Sequence, residues 1–304
     1  MRDLKEDIPE GCEYGIGMRQ HSQGEDASPA IPLPEIVIKP QKGWIGVNWR
    51  EMFQQHELLF FLVGRDIKVR YKQTIFGVLW AVIQPLLTML IFTVIFNKVA
   101  GIDSDNEIPY PVFVYAGLLP WQFFGAALTS GSTSLIGQQN LLTKVYLPRM
   151  FLPAASLGSA FVDFCIAFII LIILMLIYSV HPSWSTFAIP LLVLLVILTS
   201  LGITLIFSAL CVSYRDVRYI VPFAVQILMY LSPVIYPVSI VPKQYQWILA
   251  LNPMTGIIDG FRSSLLGAPW NFMAIGVSTL IALLLLLFGL FFFRRTERRF
   301  ADIA

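Results

Sequence analysis

The chain has 304 residues, 57% hydrophobic and only 13% charged, with a formal net charge of +2 and a mean hydropathy of +0.72. A soluble domain carries about 25% charged residues. Between Gln73 and Phe293 the only basic side chains here are Lys98, Lys144, Arg149, Arg215, Arg218, Lys243 and Arg262. The pattern excludes a soluble globular enzyme, an intrinsically disordered chain and a nucleic-acid-binding protein, and leaves an integral membrane protein.

Residues 1–47 read as a disordered cytoplasmic leader. They are polar and mostly acidic, with Asp3, Glu6, Asp7, Glu10, Glu13, Glu25 and Asp26 among Pro, Gly and Ser, too little apolar surface to offset the entropy of ordering. No positively charged start runs into an apolar stretch, so a cleavable signal peptide is not expected. Residues 48–72 follow, with apolar groups at Trp49, Met52, Phe53, Leu59, Phe60, Val63 and Ile67. Spacings of three and four predict an amphipathic helix lying along the inner interface, which Gly64 could break. An ordinary juxtamembrane anchor would have the same pattern.

A membrane-crossing helix needs about 20 mostly apolar residues. Six segments qualify, at 76–96, 112–131, 151–178, 187–211, 220–238 and 272–293. The runs are continuous rather than alternating with period two, which argues against a strand barrel. The fold class is therefore all-α, with six spans per subunit. Between spans five and six, residues 241–271 hold two short apolar pieces, Trp247 to Leu251 and Met254 to Leu266, divided by Asn252-Pro253. Each is too short to cross, and short re-entrant or interfacial helices on the extracellular side are the natural reading.

Orientation follows from Lys and Arg placement. With the N-terminus inside, the inner side holds 18 of the 21 basic residues, against Lys98, Lys243 and Arg262 outside. Both termini are expected in the cytoplasm. The three cysteines, Cys12, Cys165 and Cys211, avoid the outer loops, so no disulfide framework is implied.

Catalytic constellations are missing from the sequence. There is no GxxxxGK[ST] phosphate loop, no HExxH or paired-cysteine metal site and no GxSxG elbow,. The expectation is a chain without catalytic or metal-binding residues. One carboxylate, Asp163, falls inside a span. A charge at the helix centre costs about 2.5–3.5 kcal/mol, and a lone carboxylate makes a poor proton relay. Helix capping or packing is one reading and transport chemistry the other. The scarcity of further ionisable groups argues against a proton- or sodium-coupled carrier.

The spans are rich in aromatic and small polar groups. Trp80, Gln84 and Thr88 share a face of the first, which Pro85 can kink,. The second carries Phe113, Tyr115, Trp121, Phe123 and Phe124 before a run of Ser and Thr. Gln226 and Tyr230 share a face of the fifth, followed by Ser232-Pro233 and Tyr236-Pro237. Interfacial belts and helix packing account for such residues in many membrane proteins. A pathway lined by flat rings, suited to sugar faces, is the functional alternative.

Five blocks carry a family resemblance. They are FLVGRDIKVRYKQTIFGVLWAVIQPLLTMLIF at 61–92, LPWQFF at 119–124, LLTKVYLPRMFLPAASL at 141–157, VSYRDVRYIVPFAVQILMYLSPVIYP at 212–237 and LNPMTGIIDGFR at 251–262. In this order they resemble the permeases of polysaccharide and polyol-phosphate exporters, the O-antigen, capsule and teichoic-acid branch of the type-2 ABC transporters. The resemblance covers about residues 48–300.

The resemblance implies a six-span transmembrane domain over 73–300 that works as a homodimer with two separate ABC ATPase subunits. ATP and magnesium would be bound by those partners and no cofactor by this chain. It implies a place in the bacterial inner membrane and a lipid-linked glycan, most plainly O-antigen, as substrate. Arg65, Lys68, Arg70 and Lys72 would meet the phosphates of the lipid carrier. The cytoplasmic loop 133–149 would couple to the ATPase through Gln138, Gln139, Asn140, Lys144 and Tyr146. Trp80, Gln84, Phe113, Tyr115, Trp121, Phe123, Phe124, Gln226, Tyr230 and Tyr236 would line the glycan path. Teichoic-acid or capsule export, drug or lipid efflux, and an ATP-independent carrier or channel are the alternatives.

Overall fold

A computed structural model describes residues 55–72, 77–104, 108–139, 141, 147–182 and 184–297. All belong to one compact unit, Trp44–Ala304. The leader, residues 48–54, and the coupling candidates Asn140, Lys144 and Tyr146 lie outside the described residues. Among the described residues every regular element is helical.

The first helix, α1, is His56–Lys72. It runs unbroken through Gly64, contrary to the expected break, because that residue's surroundings are open and helical backbone is allowed to glycine at a cost of about 1 kcal/mol,. α2, Leu79–Phe92, contains Pro85 and continues as a π-helical stretch, Thr93–Val99. α3 is Tyr110–Gly137, α4 Phe151–Ile177 and α5 Ile189–Ser213. α6 is Val217–Leu231. α7, Gln246–Ala250, and α8, Pro253–Leu266, precede α9, Phe272–Glu297.

Five helical stretches are long and apolar enough to cross a membrane. The fifth expected span, 220–238, is instead the 15-residue α6 followed by an irregular segment. Pro233 explains the stop. The residue before a proline is driven out of helical conformation, and Ser232 adopts φ −88° and ψ 150°. The break is enclosed: Ser232, Pro233, Val234, Ile235 and Pro237 are all buried.

α3 is the central helix. Its residues are apolar on every side, which suits a helix surrounded by others, and it packs against α2, α4, α5, α6 and α8. The hydroxyl run that follows stays helical beyond the expected end at 131. Its side chains bond back to their own turn, Ser130 to the Ala126 carbonyl at 2.5 Å and Ser134 to that of Gly131 at 2.7 Å. α5 and α9 cross at Gly202 and Gly289. A Cβ on Gly202 would lie 2.6 Å from the Leu286 backbone nitrogen, so glycine is what permits this backbone approach.

The two short pieces around Asn252-Pro253 are α7 and α8. Asn252 caps α8, its Oδ1 accepting from the Met254 N–H at 3.0 Å, with Pro253 in the first turn and Gly267 closing the helix at φ 71°,. α8 packs on α3, α5 and α9 and is buried along nearly its whole length.

Candidate functional site

Two clusters of polar side chains, at opposite ends of the 28-residue α3, stand out against the apolar bundle. At about 1.5 Å per residue they are roughly 40 Å apart.

The first cluster ties α1 to the bundle. The buried Leu62 packs among Leu135, Leu147, Phe151 and Leu152, flanked by Leu58, Leu59 and Val63. Gly158 of α4 admits Val63, since a Cβ there would lie 2.6 Å from a Val63 methyl. Phe60, Phe61 and Val69 remain exposed on α1. Over this contact Arg70 forms an ion pair with Asp163, and the Tyr71 hydroxyl donates to the same carboxylate. Burial first, and the bond to Asp163 second, push the Tyr71 phenol above the ordinary tyrosine range, so it stays a donor,. Arg65 donates to Gln138 Oε1 at 2.6 Å and to Asp66 Oδ1 at 2.7 Å. α1 is therefore held at two points, to α4 through Asp163 and to the end of α3 through Gln138.

Asp163 therefore has a cationic partner, which the spans themselves did not supply. The expected cluster of four phosphate-binding cations divides accordingly. Arg65 and Arg70 are engaged in fixing α1, whereas Lys68 and Lys72 are exposed. Gln139 is also exposed, next to Gln138 at the start of the coupling loop.

The second cluster centres on Arg262, 3% exposed in α8. It donates to the backbone oxygens of Pro233 at 2.7 Å, Val234 at 2.6 Å and Phe113 at 3.3 Å. Its guanidinium carbon lies 3.7 Å from the centre of the Phe113 ring,. Where α6 breaks, carbonyls lose their helical donors, and an apolar interior offers no water to replace them. Arg262 supplies donors from one rigid fork. Tyr110 adds a hydroxyl to the Ile235 carbonyl at 2.8 Å, and Asn252 Nδ2 reaches Ser232 Oγ at 2.6 Å. Gly117 makes the room, for a Cβ there would lie 2.7 Å from Arg262 Nη2. By charge alone Arg262 is an outer-loop cation. The signal that could have found its role is an arginine inside the apolar piece Met254–Leu266, downstream of a proline-broken span.

The expected aromatic lining separates into two groups. Phe113, Tyr115, Trp121, Phe123 and Phe124 are buried in the subunit core, a correction to the reading of all ten residues as one lined path. Phe123 meets Phe161 and Phe164 edge to face at 6.3 and 5.8 Å, and Tyr115 donates to the Ala167 carbonyl at 3.2 Å. The cause is the central place of α3, which leaves its rings no open side. Trp80, Gln84, Gln226 and Tyr230 are exposed on α2 and α6, and Tyr236 is half-buried with its hydroxyl on the Leu231 carbonyl. Among the described residues no group of three or more His, Cys, Asp or Glu is placed to hold a metal ion.

A bundle of apolar crossing helices with a clamped amphipathic helix at one end is a transporter's architecture, and comparison with known proteins decides which. The family model "ABC-2 type transporter" matches residues 57–266. The chain belongs to the ABC-2 type transporter family. It is thus a multi-pass membrane protein and a transport component. Among ABC-2 relatives, the O-antigen export system permease protein RfbA of Klebsiella pneumoniae is 29% identical over 248 residues, 81% of this chain and 95% of that protein. RfbA of Myxococcus xanthus is 31% identical over 216 residues, 70% of this chain and 82% of the relative. The polysialic acid transport protein KpsM of Escherichia coli is 23% identical over 240 residues, 77% and 91% of the two chains. The matched segment contains both polar clusters, from α1 to the end of α8.

Proposed function

We propose that this chain is the membrane-embedded permease of an ATP-driven exporter that moves a lipid-linked polysaccharide, with O-antigen the foremost candidate, across the bacterial inner membrane. The observation that carries the reading is the match of most of the chain to permeases named for O-antigen export. Capsular polysaccharide is the second reading, favoured by the more distant likeness to a polysialic acid transport protein.

Two copies of the chain work with two separate ABC ATPase subunits, which hold ATP and magnesium. The permease hydrolyses nothing itself. Both termini lie in the cytoplasm, a placement supported by the basic groups gathered at the α1 end, where Arg149 also donates to the Glu297 carbonyl at 2.9 Å. ATP binding moves the loop 133–149, in which Gln138, Gln139, Asn140, Lys144 and Tyr146 meet the ATPase. Through Arg65 that motion reaches α1, and through Arg70 and Asp163 it reaches α4. Lys68 and Lys72 attract the carrier phosphates. The exposed faces of α2 and α6, with Trp80, Gln84, Gln226 and Tyr230, line the path between the two copies.

The test is reconstitution with the host's ATPase in inverted vesicles carrying the lipid-linked glycan. ATP-dependent movement of glycan into the lumen is the expected result. Transport that persists after ATP depletion, with no ATPase co-purifying from the host, would overturn the reading.

A further inference from the structure

At the end of the bundle remote from α1 there is a cavity of about 370 Å³, within the roughly 300–1,000 Å³ typical of small-ligand sites. Its lining includes Gln246, Asp259, Arg262, Trp270, Asn271 and Phe272. These come from α7, α8 and the start of α9, and the first subsite is built on the same arginine that holds the α6 break.

The chemistry of the walls selects a ligand. One carboxylate and one guanidinium among the lining residues leave no net charge, which disfavours a free anion such as phosphate and a cation alike. The polar groups are held in place. Gln246 gives its amide nitrogen to the Val241 carbonyl at 2.9 Å, leaving its carboxamide oxygen as an acceptor. Asn271 Oδ1 accepts the Ala274 N–H at 3.1 Å, leaving its NH₂ as a donor. The walls therefore offer acceptors and donors together, the requirement of a hydroxyl-bearing ligand, since each hydroxyl does both. Beside them stands a rigid aromatic plate. Trp270 and Phe272 stack at 5.8 Å with 12° between planes, the Trp270 Nε1–H is anchored on Ser185 Oγ at 3.4 Å, and Phe272 is 75% exposed. A flat apolar face beside neutral hydrogen-bonding groups matches a pyranose, which has an apolar C–H face and a hydroxyl rim. An alkyl chain would leave Asp259 and Asn271 desolvated without partners.

We infer that this cavity binds a neutral sugar ring of the glycan on the side of the bundle where the polymer leaves. The inference rests on the exporter reading for its direction, while the site itself rests on the cavity. A sugar held there resists back-sliding between strokes of the ATPase.

The test uses the full permease–ATPase complex in nanodiscs. The probe is the oligosaccharide mixture released by mild acid from the host's own surface polysaccharide, followed by saturation-transfer NMR and titration calorimetry. Saturable binding to the wild type is expected, weakened about tenfold, or 1.4 kcal/mol, by Asp259→Asn. Phe272→Ala, at an exposed position that folding does not need, is expected to weaken it similarly. No binding to the wild type, or equal binding to all three proteins, overturns the inference. Vesicle export by the wild-type complex is measured in parallel. Failure there overturns the exporter reading and leaves the binding result to be judged by itself.

Discussion

Arg70 and Asp163, 93 positions apart, form an ion pair that pins the amphipathic α1 to the long α4. With Tyr71 on the same carboxylate, the pair converts a costly charge in an apolar helix into a joint between two elements. The side chains are about one-third exposed, 35% and 28%, so the pair is neither a screened surface contact nor a fully desolvated one.

Removal of either partner is expected to loosen α1. Asp163→Ala should cost roughly 1–3 kcal/mol, the range for hydrogen bonds to charged groups. Limited proteolysis of α1 in nanodiscs reads the effect. The double swap Arg70→Asp with Asp163→Arg should restore part of the protection, and a swap no better than the single variants would show that the pair does not hold the helix.

Lys68 and Lys72 should behave differently from Arg70. Replacing both with Gln removes about 1 kcal/mol of attraction each near an anionic surface, a fall of roughly tenfold or more in affinity for the lipid-linked substrate. The proteolytic protection of α1 should not change. Co-purification of the labelled lipid with the complex measures the first, and an unaltered yield would remove these lysines from substrate capture.

Arg262→Met should leave the carbonyls of Pro233, Val234 and Phe113 without their donor, each about 1–3 kcal/mol when buried. The expected outcome is loss of the monodisperse peak in detergent size-exclusion chromatography. Arg262→Lys should recover little, because a compact ammonium cannot span a fork of carbonyls. A stable Lys variant would mean that charge, not geometry, is what the break requires.

Two glycines give opposite signs. Gly64→Ala meets nothing within 4 Å and lies inside α1, so it should raise stability by about 0.5–1 kcal/mol. Gly202→Ala would press on the α9 backbone at Leu286 and should cost roughly 1–3 kcal/mol. Thermal unfolding in one detergent compares the two. Destabilisation by Gly64→Ala would mean that α1 does bend there.

Much of the helical layout was legible in the chain because hydropathy is a local sum. The segment 151–178 became Phe151–Ile177, and Asn252-Pro253 divided α7 from α8, since capping chemistry acts over a few residues. The segment 220–238 was less so. A hydropathy average passes over Pro233, while the backbone stops at Leu231.

The sequence by itself determined that the chain is apolar enough to cross a membrane, where its long helices lie, and the family motifs from α1 to α8. Only the tertiary structure decided what each polar or aromatic side chain faces. It turned Phe113 and Trp121 inward, gave Asp163 its arginine and set Arg262 on a broken helix. The physical reason is range. Helix formation answers to neighbours a few residues away, whereas an ion pair or a capped carbonyl depends on elements about 30–150 positions apart, brought together only when the bundle packs,.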